Sequence, residues 1–123
     1  MAPTIEKVSA ITLRVSNMQV SVQFYRTVLG MELLYGGERS GFSSLRANDP
    51  ESVILNLEQG NVVPGWGRII FHVADVDAFW TVLMGEGLDP EVPQDAPWGE
   101  RYFHVRDPDG HELSFARPLQ GAR

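Results

Sequence analysis

Downstream of Val8, apolar and polar positions alternate through Ile11, Leu13 and Val15, then break at Asn17. Strict alternation over a short stretch predicts a half-buried strand. Past Asn17 the period changes. Ser21, Phe24, Tyr25 and Val28 fall at i, i+3, i+4 and i+7, one stripe of a helix, with Gly30 placed to stop it. The same order returns 58 positions later, where Phe71-His-Val73-Ala-Asp75-Val matches Leu13-Arg-Val15-Ser-Asn17-Met. There, Ile69, Phe71 and Val73 predict a strand, and Val76, Phe79, Trp80 and Leu83 predict the helix, which Gly85 and Gly87 end. Asn17 and Asp75 suit the N-cap, because a short side-chain oxygen can accept from the free amides of a first helical turn.

Three short strands are predicted after each helix. In the first half they are Met31–Tyr35, Gly41–Ala47 and Ser52–Glu58, parted by Gly36-Gly37 and Asn48-Asp49-Pro50. In the second they are Leu88–Val92, Arg101–Arg106 and His111–Arg117, with Asp107-Pro108-Asp109-Gly110 as a turn. The chain therefore reads as α+β, two tandem βαβββ modules within a single domain spanning 1–123. Module one runs from about residue 6 to 59, the linker covers 60–65, and module two runs from about 66 to 118.

Composition narrows the chemistry. None of the 123 residues is cysteine and only three are histidine, which removes disulfides, zinc–thiolate sites, iron–sulfur clusters and a cysteine nucleophile. A formal charge of −6 argues against a nucleic-acid partner, since phosphate binding needs a clustered basic surface. Apolar runs such as Val53-Ile-Leu fall far short of the ~20 residues of a membrane span, and no secretory signal is visible at the start. A cytoplasmic protein is expected.

The order of Ile11-Thr-Leu-Arg-Val-Ser-Asn17, Phe24-Tyr25, Leu29-Gly30, Ile70-Phe-His-Val-Ala-Asp75, Pro97-Trp-Gly99, Tyr102-Phe103 and Asp107-Pro-Asp-Gly110 resembles the vicinal oxygen chelate superfamily. That superfamily includes glyoxalase I, extradiol dioxygenases, fosfomycin-resistance enzymes and bleomycin-resistance proteins. The Pro97-Trp-Gly99 region looks most like the bleomycin-resistance branch. The resemblance implies a cup-shaped eight-stranded mixed sheet with helices outside, a homodimer, and antibiotic resistance among the functions. It also implies four metal-ligand positions, which fall here on Ala10, Asn56, Arg68 and Ser114. None offers a good ligand, whereas a catalytic ion takes three or more protein donors.

Strand alternation then assigns side chains to faces. Thr12 and Arg14 of the first strand, Asn56 and Glu58 of the fourth, Arg68 and His72 of the fifth, and Glu112 and Ser114 of the eighth are expected to line the cup. Trp98 and Phe103 are expected to add aromatic contact with a planar ligand. His104 is expected on the helix side, provided the Asp-Pro-Asp-Gly turn closes a two-residue hairpin, and His111 in the turn. Ser114 and His72 lack a nucleophile-elbow context, and the glycines lack phosphate-binding spacing. The expected function is a metal-free, sequestering protein for a small organic ligand, with no cofactor. The alternative is a glyoxalase-like lyase or dioxygenase with a divalent metal displaced onto His72, Glu58 and Glu112.

Overall fold

The computed structural model describes residues 3–119. They fall into two compact units that part between Val62 and Val63. The first contains β1 (Ala10–Val15), α1 (Met18–Val22), β2 (Glu32–Tyr35), β3 (Phe42–Arg46) and β4 (Ile54–Gln59). The second contains β5 (Arg68–His72), α2 (Val76–Gly85), β6 (Gln94–Asp95), β7 (Glu100–Arg106) and β8 (Glu112–Pro118). Each builds one four-stranded mixed sheet, ordered β1-β4-β3-β2 and β5-β8-β7-β6. In both, the first and last strands run parallel and the other pairs antiparallel. The repeat read from the sequence is thus a repeat of topology, and the class is α+β. Among the described residues the strands form two separately bonded sheets rather than one ladder of eight.

Both helices start where the cap residues place them. Asn17 Oδ1 accepts from the Val20 amide at 3.2 Å, and Asp75 Oδ1 from the Ala78 amide at 3.0 Å. The two caps have nearly the same backbone, φ/ψ −142/104 and −141/103. Beyond Val22, α1 widens into π turns over Gln23–Val28, and the Leu29 amide reaches back five residues to the Phe24 carbonyl. Gln59 secures the start of α1 from a distance. Its Oε1 accepts from the Met18 amide at 3.0 Å, and its side-chain amide donates to the Ser16 carbonyl.

One face of each sheet is buried under its helix. In the first unit Leu13, Val15, Leu45, Leu55 and Leu57 pack on the side of Met18, Val22 and Tyr25. In the second, Phe115 is central, with ring centroids 4.8 Å from Phe79, 5.3 Å from Phe103 and 5.4 Å from Phe71. Burying such rings is the main favourable term in a small fold, and stacked pairs add to it.

One predicted strand does not form. Residues 88–92 lie outside any strand, and the two-residue β6 at Gln94–Asp95 takes the edge of the sheet. Pro90 within this stretch and Pro93 directly after it each lack a backbone donor, which defeats a ladder. A single bond survives, from the Glu91 amide to the His104 carbonyl at 2.9 Å. No helix among the described residues is long and apolar enough to cross a membrane.

Candidate functional site

The face of each sheet turned away from its helix carries the polar residues. In the first unit a hydrogen-bonded row crosses three strands. Ser44 Oγ donates to Asn56 Oδ1 at 2.7 Å, and Asn56 Nδ2 reaches Thr12 Oγ1 at 3.4 Å. One step along, Arg14 and Glu58 meet at 3.4 Å, and at the opposite end Arg46 meets Glu32 at 3.2 Å. Register explains the row, because Thr12 lies opposite Asn56 and Asn56 opposite Ser44. Cross-strand neighbours on one face fall within side-chain reach.

In the second unit the open face runs from charge at one end to aromatic rings at the other. Arg68, Glu112 and Arg106 occupy one register line across β5, β8 and β7, and Arg68 Nη2 bonds Glu112 Oε1 at 3.3 Å. Farther along, His104 and Tyr102 of β7 and Trp98 just before it form a chain of ring contacts, with centroid distances of 5.1 and 5.8 Å. Trp98 Nε1 donates to Glu100 Oε1 at 2.9 Å, and Glu100 Oε2 lies 3.6 Å from His72 Nε2. Exposed Ile70 supplies apolar surface beside them.

Three placements correct the sequence expectations. Phe103 is 1% exposed and faces Phe115 under the helix, so it does not line the open face. His104 takes the open side instead, opposite Ser114. The common cause is the turn. Asp107 accepts from the amides of Asp109 and His111, both at 2.9 Å, and its own amide donates to the His111 carbonyl. Arg106 therefore pairs with Glu112 across five loop residues, not two, which exchanges the faces along β7. The third correction is the displaced metal set. Arg68 is level with Glu112 and His72 with Ala116, so His72 and Glu112 stand four strand positions apart, ~13 Å at the usual rise. One ion, with donors at about 2.0–2.2 Å, cannot take both.

The family ligand positions themselves do not suit a cation. Ala10 has no side-chain donor atom. Asn56 Oδ1 is bonded by Ser44, and Ser114 Oγ donates to the Phe103 carbonyl at 3.4 Å. Arg68 places a guanidinium where a ligand would stand, and Glu112 neutralises it. Among the described residues no three His, Asp or Glu side chains are grouped to hold an ion.

The sequence did not reveal His104 as a member of the open face, nor Trp66 as a partner of buried His111. Trp66 Nε1 donates to His111 Nδ1 at 3.0 Å. An Asx turn at Asp107 before Pro-Asp-Gly, which its side chain favours, is the signal that shifts the register and brings His104 to the open side. Burial holds His104 below the usual histidine pKa of 6.5, and neighbouring Arg68 lowers it further against the opposing pull of Glu91 and Glu112. Beside His104, Arg68 and Glu112, a cavity of about 460 Å³ opens toward Leu88, Asp89 and Glu91.

Known proteins share this plan. The metallothiol transferase FosB of Staphylococcus epidermidis is 27% identical over 121 residues, covering 89% of this chain and 81% of that protein. A glyoxalase/dioxygenase of Nostoc punctiforme superposes with a TM-score of 0.78 at 22% identity, over 96% of this chain and 95% of the other. TnmS3, an antibiotic binding protein of a Streptomyces species, superposes with a TM-score of 0.76 at 24% identity, over 95% and 99%. The sequence profile of the glyoxalase/bleomycin resistance protein/dioxygenase superfamily matches residues 7–115. With that match over most of its length, the chain belongs to this superfamily.

Proposed function

We propose that the protein binds a small organic molecule on the open faces of its sheets, without a metal at the family positions, and acts by sequestration rather than bond-making. The observation that carries this reading is the Arg68–Glu112 pair. A cation already occupies a position where metal-dependent relatives need a donor, and its counter-charge is supplied by the chain. The other three positions hold Ala10, Asn56 and Ser114, so the donor set of a catalytic ion is absent. The surface in its place offers stacking on Tyr102 and Trp98 together with fixed polar groups, the usual mixture in a small-molecule site. The fold shared with an antibiotic binding protein is in keeping with a resistance role. The name metallothiol transferase carried by FosB favours a metal-dependent transfer, but the residues at these positions do not fit it.

We include in the proposal a homodimer acting in the cytoplasm, which sedimentation and cell fractionation would check. The binding claim is tested by titrating metal-free bleomycin into the protein with and without EDTA. Saturable binding that EDTA leaves unchanged is expected. Binding lost on chelation, or chemical conversion of the ligand, would overturn the reading.

A further inference from the structure

Charge is divided unequally along the chain. Residues 63–119 hold ten acidic and four basic side chains, against six and five in residues 1–62. The 460 Å³ cavity lies wholly within that acidic unit. Its floor is Arg68, His104, Arg106 and Glu112 from the open face of the sheet, and its wall is Leu88, Asp89 and Glu91. The wall is tied to the floor by the bond from the Glu91 amide to the His104 carbonyl.

Three charges in this cavity are uncommitted. Arg68 and Glu112 satisfy each other at 3.3 Å, whereas Arg106, Asp89 and Glu91 make no ion pair among the described residues. His104 adds no positive charge at neutral pH, because its neutral form is favoured there. Its Nδ1 is buried without a hydrogen-bond partner. An unpaired guanidinium on the floor and two unpaired carboxylates on the wall give the cavity a fixed dipole. A simple anion would meet the carboxylates and a simple cation would meet Arg106, so a ligand carrying both charges matches best. Leu88 and Val105 also border the cavity. At ~30 Å³ per water, the space equals about fifteen water volumes, room for an amino acid or a dipeptide.

We infer that this cavity binds a small apolar zwitterion, an α-amino acid or dipeptide, with its ammonium on Asp89 and Glu91 and its carboxylate on Arg106. The inference narrows the small-molecule reading above and rests on it. Amide NMR of the whole chain tests it with three probes: L-leucine, leucinamide, which lacks the carboxylate, and N-acetyl-L-leucine, which lacks the ammonium. L-leucine should shift the amides of residues 88–91 and 104–106 saturably, with each derivative about tenfold weaker or worse, a loss of one charged contact. Arg106→Gln should bring L-leucine down to the level of leucinamide. The Asp89→Asn/Glu91→Gln double variant should bring it down to that of N-acetyl-L-leucine. Equal binding of all three probes by the unmodified chain, or no shift at concentrations on the order of 10 mM, would overturn the inference. If bleomycin still binds when L-leucine does not, this inference alone falls and the sequestration reading stands.

Discussion

Single side chains decide which surface of this protein is available. Asp107 is 5% exposed and holds the β7–β8 connection by accepting two backbone amides. Removing one partner of a buried hydrogen bond costs more than the bond contributes, because the remaining donor stays desolvated. Asp107→Ala should therefore lose about 1–3 kcal/mol in urea unfolding. A loss below about 0.5 kcal/mol, the scale of an ordinary surface change, would contradict the role given to its carboxylate. Gly36 is a second such point. Its φ is +76°, and a Cβ there would sit 2.2 Å from the Phe42 carbonyl oxygen, so Gly36→Ala should destabilise by more than the ~1 kcal/mol of a left-handed residue alone. His104 gives a pH test. Its folded pKa lies below 6.5 while the unfolded chain titrates near that value. The unfolded state therefore binds more protons between the two values, and stability should fall as pH drops from about 6.5 toward the folded pKa. A His104 ring that titrates at or above 6.5 by NMR would contradict the burial argument.

At the scale of elements, legibility followed how local the deciding interaction is. The faces of β4 were readable because Leu55 and Leu57 alternate with Asn56 and Glu58, and the first pair is buried as expected. The helix starts were readable because Asn17 and Asp75 act within one turn. The stretch 88–92 looked like a strand by apolar content, but strand pairing needs donors that Pro90 and Pro93 lack. Phe103 went to the wrong face because register depends on loop geometry, and a one-residue slip inverts a whole strand. Edge pairing of β6 depends in part on side chains. Arg101 makes bonds of 3.0 and 2.9 Å to both carboxylate oxygens of Asp77 in α2, and one of 2.9 Å to Asp95 in β6. The Arg101 hydrogen bonds hold Asp77 below the usual value of 3.8, so the contribution is present above that pH and is lost as pH falls through the folded value. The melting temperature of Arg101→Gln should thus lie below that of the unmodified chain at neutral pH, and the gap should close in strong acid. A gap that persists there would show that packing of the Arg101 stem, not charge, is what matters.

The molecule as a whole repeats one topology twice without repeating its surface chemistry. The first open face is a row of neutral hydrogen bonds flanked by ion pairs, whereas the second combines an Arg–Glu–Arg line with aromatic rings. Superfamily membership and module topology were legible because they rest on an ordered series of caps, stripes and turns. The residues of the open face were only partly so: Arg68, Glu112, His72 and Trp98 were expected in this region, while His104 and the Asp89–Glu91 wall depended on register and on a strand that does not form. The proposed function has the chain work without an ion at the family positions. Metal analysis of protein purified without chelator, then dialysed and titrated with Zn²⁺ and Mn²⁺, tests it most directly. No retained ion and no saturable site at stoichiometric metal are expected; one divalent ion per chain held through dialysis would overturn the metal-free proposal.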